Sequence, residues 1–325
     1  MKGWLLYILS YAVALLAYTS CDIHEFPVES QDVIPLTIHL DFDSTLPLYT
    51  TIYYSRSQAD GAGQDSKHNI RYIVNAYRTD NVVGDNRTAD TTFIFTKSNI
   101  NELDYTSRIE LPNGTYRLLV WADYVDDGSK ADKYYNTSNF AEITLANKNN
   151  HTGNSDYRDV FRGENTIKLN SLEENIVTID MVRPVGKFKF IATDGEEYIN
   201  RIEDFKVIIR YNHFMPCSFN MFTDKAADSW TNISFSSNIQ RENDSEISLG
   251  YDYIFVNDTQ TSLCLSVDIY NKDGTLFSSS PSINVPIVRN KLTIVKGAFF
   301  TANSVAGGGT TISPGYDGED FNIPI

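Results

Sequence analysis

The chain has 325 residues and a formal net charge of −15. An acidic surface repels phosphate backbones, and no cluster of Lys and Arg offsets it, which argues against nucleic acid as a partner. Aromatic residues make up 13% of the chain. This share suits the pleated surfaces of strands better than helices. Length and composition together predict an all-β protein of about two domains.

The amino terminus has the features of an export signal. Residues 3–20 carry no charge, follow Lys2 and precede Cys21. A short basic start, an apolar core and small residues before a cleavage point are typical of a secretory signal. Residues 18–21, YTSC, look like a bacterial lipobox, in which the cysteine is lipidated and becomes the new amino terminus. We predict a signal peptide over 1–20, lipidation of Cys21 and a polar leader over 21–32.

A membrane-spanning signal anchor is the alternative, since 18 uncharged residues reach the lower end of a span. Polar residues within the run, Ser10, Thr19 and Ser20, and a cysteine at the expected boundary favour the lipoprotein. The predicted location is therefore the outer membrane, held by lipid and facing the cell surface. The membrane is then a partner through the anchor alone.

Two further cysteines, Cys217 and Cys264, lie in the second half of the chain. An exported compartment permits a disulfide between them. Two cysteines in separate strands are more often buried small apolar residues. Both readings stay open, because the sequence does not give the distance between their Cα atoms.

Period-2 alternation predicts the strands of the first half. We expect a long loop with some helix over 46–69 and a helical turn within 154–162. The predicted strands are 33–43, 70–77, 91–96, 107–111, 115–123, 140–145, 166–169 and 176–181.

A turn at Pro112, Asn113 and Gly114 precedes the most regular of these strands. Proline presets the first corner of a turn, and Asn-Gly accepts positive φ. In 115–123 the apolar residues alternate, which predicts a core strand. A turn and strand of this kind are common in sandwich domains that resemble transthyretin.

A seam between two domains is predicted at Arg183-Pro184. Proline gives no ladder donor and forces its predecessor out of helical geometry, so the pair indicates a corner between strands. After it, Phe188 and Phe190 alternate with Lys187 and Lys189, the pattern of a half-buried strand. We predict domains over 33–182 and 183–325.

The second half has a similar spacing of strands, with an ambiguous stretch over 219–229. The predicted strands are 186–193, 204–211, 232–235, 246–249, 253–256, 262–271, 275–278, 282–287, 292–300 and 310–313. About seven strands in each half, joined by polar turns, predict two tandem antiparallel β-sandwiches.

No catalytic constellation is visible. The five histidines are scattered without zinc-ligand spacing, and no nucleophile motif or phosphate loop follows a strand. Asp123, Asp126 and Asp127 miss the EF-hand spacing for calcium, and Asp-Gly is commoner as a bare turn. We predict a non-enzymatic protein without cofactor or metal.

Two kinds of surface chemistry remain. Trp121 and Trp230 have side chains that stack on sugars when exposed, although the place of Trp121 in a strand predicts a buried side chain. Ser44 and Thr91 follow aspartates in sequences that look like the O-glycosylation site of exported Bacteroidetes proteins.

Several short motifs stand out, namely SCDIHE at 20–25, LPNGTY at 111–116 with VWAD at 120–123, RPVGKF at 183–188 and YDGE at 316–319. Together they resemble fimbrillin-like lipoproteins of Bacteroidales and, within that group, an uncharacterised branch near the fimbrial anchor and minor-subunit lipoproteins.

This resemblance implies two transthyretin-like sandwiches, an outer-membrane anchor, and a role in fimbria-like assembly or adhesion with other surface subunits as partners. It also implies that subunits join by strand addition, for which residues 310–325 are the candidate segment. The alternative for this tail is an edge strand in its own sheet. The alternative function is a surface lipoprotein that binds glycans.

Overall fold

The structure is a computed structural model that describes residues 33–42, 68–80, 88–237, 239–301, 309–312 and 321–324, the last two as backbone only. The predicted loop over 46–69 lies almost wholly outside the described residues. Within them, strands alternate with turns and short 3₁₀ helices. No helix of this described part is both long and apolar enough to cross a membrane.

The amino-terminal half, residues 33–182, contains short helices at Lys148–Asn150 and Asp156–Arg158 between two of its strands. Its strands are β1 (Val33–Phe42), β2 (His68–Arg78), β3 (Thr91–Lys97), β4 (Tyr105–Pro112), β5 (Thr115–Asp126), β6 (Tyr135–Asn136), β7 (Ile143–Leu145), β8 (Phe161–Lys168) and β9 (Asn175–Met181).

The carboxy-terminal half has a third 3₁₀ helix at Glu196–Asp204. Its strands are β10 (Val185–Ala192), β11 (Phe205–Tyr211), β12 (Met215–Pro216), β13 (Ser218–Asn220), β14 (Lys225–Ala226), β15 (Ser229–Trp230), β16 (Ile233–Ser237), β17 (Gln240–Arg241), β18 (Ile247–Phe255), β19 (Gln260–Asn271), β20 (Leu276–Ser279), β21 (Ile283–Val288), β22 (Leu292–Gly297), β23 (Gly309–Ile312) and β24 (Phe321–Pro324).

Two facing sheets make up most of the amino-terminal half. One has the order β4-β1-β9 and the other β3-β2-β5-β8. β1 is antiparallel to β4 and parallel to β9. Side chains such as Leu36, Tyr72 and Val120 form a buried core between the sheets. Alternation along β1 and β5 therefore predicted the inner face correctly.

The carboxy-terminal half repeats this arrangement. Its central sheet has the order β18-β10-β22, and the facing sheet pairs β16, β11, β19 and β21 in turn. β10 is again antiparallel to one neighbour, β18, and parallel to the other, β22. The predicted all-β fold is confirmed, and most strand pairs are antiparallel. The division at 182/183 stays a prediction, because side chains of both halves join one core.

That shared core lies where the second face of β2 and β5 meets the carboxy-terminal half. Trp121 is fully buried there, as predicted, with its ring centroid 5.7 Å from that of Tyr135 and 6.4 Å from that of Phe255. Phe219 stacks on Phe255 at 5.6 Å. A small sheet of order β14-β13-β7-β6 also crosses the junction, because β7 pairs with β13. The halves are thus joined by packing and by main-chain hydrogen bonds.

Strand β10 departs from its prediction. All eight of its residues are buried, including Lys187 and Lys189, which we expected on an exposed face. The loop before β8 brings a carboxylate to Lys187, and the segment after β17 brings one to Lys189. Lys187 Nζ lies 2.7 Å from Asp156 Oδ1, and Lys189 Nζ lies 2.6 Å from Glu242 Oε2. The half-buried assignment was wrong because alternation cannot reveal what another segment covers.

The predicted strands 246–249 and 253–256 form one strand, β18. Gly250 has φ of 149°, and an added Cβ would lie 2.3 Å from Ser237 Oγ. The pairing of β18 with β10 shifts by one residue beside this glycine, between Phe190 and Ile191. A bulge of this kind bends a strand without ending it.

The tail pairs within its own sheet. β23 is antiparallel to β22, and β24 is antiparallel to β23. The alternative in which the tail ends the chain as an edge strand is the one that the described backbone adopts.

Replacing Trp121 with alanine should destabilise both halves together. Truncation of a fully buried tryptophan removes about 3–5 kcal/mol from the free energy of unfolding. We expect one cooperative transition in urea, shifted to lower midpoint, as followed by circular dichroism. Trp230→Ala, at a half-buried tryptophan, is the matched control. A loss below about 1 kcal/mol for Trp121→Ala would contradict the shared core.

Candidate functional site

A buried network of charged groups fixes the loop 147–160 against the carboxy-terminal half. Its centre is Asp252 of β18, which is 1% exposed. Arg158 Nη1 and Tyr211 Oη donate to its carboxylate at 2.5 and 2.6 Å, and His151 Nε2 lies 2.8 Å from it. Burial alone raises the pKa of this carboxyl, but the charges of Arg158 and His151 together hold the pKa of Asp252 below its usual value.

Two more ion pairs extend this network. Arg183, at the predicted seam, donates from Nε to both carboxylate oxygens of Asp159 at 2.9 and 3.0 Å. Lys187 pairs with Asp156, and burial lowers the pKa of its amine in spite of that carboxylate. These charges neutralise one another across the junction, so their arrangement is that of a structural clamp.

Asn154 fastens the same loop to two strands at once. Its Nδ2 donates to Ser237 Oγ of β16 at 2.6 Å, and its Oδ1 accepts from the backbone N–H of Tyr251 in β18 at 2.7 Å. Beside it, a Cβ on Gly153 would lie 2.3 Å from the ring of Phe235. The glycine therefore lets the loop approach β16 closely.

Beside this contact, the loop and β16 separate and form the two walls of a cleft of about 710 Å³. One wall comes from the amino-terminal half and the other from the carboxy-terminal half. The lining residues are Lys148, Asn149, Asn150, His151, Thr152, Thr231, Asn232, Ile233, Ser234, Phe235 and Ser236.

Exposed polar side chains make up much of the cleft lining. Asn149, Asn150, Asn232, Ser234 and Ser236 are exposed, and none has a side-chain hydrogen bond to another described residue. Amides and hydroxyls both donate and accept. The lining contains no carboxylate. This arrangement can bind an uncharged polar molecule through several hydrogen bonds.

An aromatic side chain flanks the cleft. Trp230 is half-buried at the end of β15, next to Thr231 in the lining, and its backbone pairs with Met215. Lys148 Nζ lies 6.0 Å from the centroid of its ring. Trp230 is itself not among the lining residues, but its ring lies beside the amine of one that is.

Backbone conformation shapes both walls. Asn147 and Asn232 have φ of 61° and 59°, in the left-handed region that asparagine tolerates better than most residues. Asn147 precedes the short helix Lys148–Asn150, and Asn232 precedes β16. β16 lies at the end of its sheet and pairs with β11 on one side. Its second edge pairs with no strand among the described residues.

The predicted site residues do not meet in the cleft. Cys21 and Ser44 lie outside the described residues. Thr91 begins β3 and is partly exposed. Cys217 is buried and Cys264 is partly buried, and both carry free thiols.

The aspartates that we considered for calcium each have a different partner. Asp123 is fully buried and accepts from Arg71 Nε and Nη2 at 2.8 and 2.6 Å. Asp126 pairs with Lys133 at the surface. Among the residues that the structure describes, no group of three or more His, Cys, Asp or Glu side chains is arranged to hold a metal ion.

Sequence reasoning missed the cleft because its walls are about 80 residues apart in the chain and no motif links them. The available signals were the asparagine run at 147–150 and Trp230 before an edge strand. The asparagines were assigned to a polar loop. Trp230 was named as a side chain that could stack on a sugar, but nothing in the sequence linked it to those asparagines.

Asp252→Asn should weaken the junction and reduce its response to acid. Because the folded pKa of Asp252 lies below its usual value of 3.8, its stabilisation is present above that pH and is lost as the pH falls through the lower folded value. Removing one partner of a buried ion pair takes about 3–5 kcal/mol from the free energy of unfolding at pH 7. Urea unfolding from pH 7 to pH 2 measures both effects.

Asp127→Asn, at an exposed aspartate, is the control for this variant and should leave stability unchanged. If Asp252→Asn keeps the stability of the parent protein at pH 7, the network does not hold the junction.

Comparison with known proteins gives one family. The model of DUF6562, a family of unknown function, matches residues 31–325. The search of curated proteins returns no match.

Several solved structures resemble the chain over most of its length. A candidate polysaccharide-binding protein of the DUF1812 group from Bacteroides thetaiotaomicron is 11% identical, with a TM-score of 0.49 over 89% of this chain and 98% of that one. The fimbrial anchor protein Mfa2 from Porphyromonas gingivalis is 10% identical, with a TM-score of 0.43 over 88% and 99%. A fimbrial assembly protein from Parabacteroides distasonis is 11% identical, with a TM-score of 0.43 over 90% and 99%.

At these identities and TM-scores the structural likeness carries no argument about function. The family match stands on its own, because it covers nearly the whole sequence. The chain therefore belongs to DUF6562, a family of unknown function.

Proposed function

We propose that the protein is a non-enzymatic surface lipoprotein that anchors or contributes to a fimbria-like assembly, or to adhesion. The observation that carries this proposal is the junction between the halves. A core containing Trp121 and Phe255, a sheet shared by β7 and β13, and buried ion pairs join the two sandwiches. Such a junction supports a stiff element that holds its far end at a fixed position.

Stiffness matters for a surface subunit, because a partner at one end must be positioned relative to the membrane at the other. Inter-domain contacts within a chain are by default small and mobile. Here the contact is a continuous part of the larger core. This supports a scaffold role over a catalytic one that works by domain closure.

The buried charges support the same proposal. Asp252, Arg158 and Lys187 are bound to partners across the junction and hold the loop 147–160 in place. General acids and bases need a group free to exchange protons with substrate. The groups of this network are instead committed to one another.

The amino terminus supplies the attachment in this proposal. Lipidation of Cys21 would leave 11 residues, Asp22 to Asp32, between the anchor and the start of β1 at Val33. Several acyl chains together anchor a protein stably, where a single chain binds reversibly. The predicted leader over 21–32 would then connect the anchor directly to the first strand of the amino-terminal sandwich.

Cys21→Ser should abolish lipid attachment. We expect uncleaved precursor on gels and loss of label after growth with a tagged fatty acid, because the acceptor thiol is gone. Cys264→Ser, at a partly buried thiol, is the matched control and should keep the label. Continued labelling of the Cys21→Ser protein would show that the lipobox assignment is wrong.

Association with other surface subunits should depend on this anchor. Cross-linking on intact cells, followed by mass spectrometry, should join the parent protein to surface subunits of filaments. The Cys21→Ser protein, held in its precursor form, should lose these products while the Cys264→Ser protein retains them. An unchanged set of products in Cys21→Ser cells, or none above background in parent cells, would oppose the assembly role.

A further inference from the structure

The cleft between the loop and β16 differs from the rest of the junction in one respect. In the buried network the charged groups have partners within the protein, whereas the exposed amides and hydroxyls of the cleft have none among the described residues. They lie on both walls, with Asn149 and Asn150 on the loop and Asn232, Ser234 and Ser236 on the strand. A ligand between the walls would reach donors and acceptors on two sides.

The chemistry of the lining selects among ligand classes. A cation has no carboxylate to bind, since the lining contains none, and Lys148 repels it. A polyanion meets a chain with a net charge of −15. Amides and hydroxyls instead suit a neutral molecule rich in hydroxyl groups, because each side chain can donate to one hydroxyl and accept from another.

Trp230 places an apolar ring beside two residues of these polar walls, Lys148 and Thr231. An aromatic ring packs well against the flat C–H face of a sugar ring, and its partial exposure leaves area for such contact. The cleft volume of about 710 Å³ falls within the range of about 300–1,000 Å³ for ligand sites. Polar side chains that set orientation, beside one aromatic platform, are the elements of a sugar subsite.

An extended peptide is the other occupant to consider, since the second edge of β16 pairs with no strand in the part of the chain that the structure describes. Strand addition takes its specificity from pockets for alternate side chains. Along β16 the outward side chains are Ser234 and Ser236, while Ile233 and Phe235 point into the core. The walls thus offer small polar groups in place of apolar pockets, which favours carbohydrate.

We propose that this cleft binds a neutral carbohydrate, with Asn149, Asn150, Asn232 and Ser234 as hydrogen-bonding residues and Trp230 as the stacking residue. The proposal is independent of the assembly role, because it rests on the lining of the cleft and requires neither the anchor nor a partner subunit.

The test is binding of the purified full-length protein to an array of neutral and uronate-containing glycans and to a panel of extended peptides, with titration of the strongest neutral glycan. Two variants disrupt the cleft. The first is Trp230→Ala, and the second combines Asn149→Ala with Asn232→Gly, where glycine keeps the positive φ that alanine would strain. Each should weaken binding by about fivefold or more, since the loss of a hydrogen bond or of stacking removes on the order of 1 kcal/mol, and 1.4 kcal/mol corresponds to about tenfold.

Asn257→Ala and Ser262→Ala are matched controls, because both residues are exposed in the same half and lie outside the lining. They should bind as the parent does, and thermal unfolding of each variant should match the parent to show that the fold is intact.

Three outcomes overturn the proposal. They are no binding to any neutral glycan, equal binding by cleft and control variants, and binding of extended peptides in place of glycans. None of these outcomes bears on the lipidation of Cys21 or on cross-linking at the cell surface, so the two proposals can fail separately.

Discussion

The burial of β10 on both faces is the constraint on which the rest of the molecule depends. One face packs against the second sheet of its own sandwich through Phe188 and Phe190. The other face carries Lys187 and Lys189, which are 2% and 5% exposed. Burying an ammonium group without a partner is strongly unfavourable. The segments that cover this face must therefore bring carboxylates with them. Asp156 of the loop before β8 pairs with Lys187, and Glu242, which follows β17, pairs with Lys189.

The position of that loop determines how the halves meet. With Asp156 held at Lys187, the following residues bring Arg158 to Asp252 and Asp159 to Arg183. A buried ion pair is weak evidence for net stabilisation, since a hydrophobic replacement is often as good. Its contribution here is to geometry, because each of these ion pairs joins residues of both halves and so fixes how they dock. The apolar packing of Trp121 supplies the favourable burial that this docking requires.

The sequence predicted much of the fold and little of the site, for one physical reason. Alternation reports which face of a strand is apolar, so β1, β5, β9 and β19 were found with nearly correct ends. It does not report which segment covers the other face, so β10 was assigned to a half-exposed position. The cleft depends on the same kind of contact between distant segments, and the sequence of neither wall indicates which segment forms the other. Positive φ at Asn147 and Asn232 is a local feature, but asparagine in a polar loop is too common to mark a site.

The junction and the cleft are two consequences of the same docking. His151 belongs to both, because it lines the cleft and lies beside Asp252 in the buried network. One wall of the cleft is fixed by that network and by Asn154, while the other is the edge of a strand in the opposite half. A pair of sandwiches connected by a mobile linker would have no such cleft, since its walls would move independently. The stiffness that supports a scaffold role is therefore also the condition under which the walls can be preorganised for a ligand.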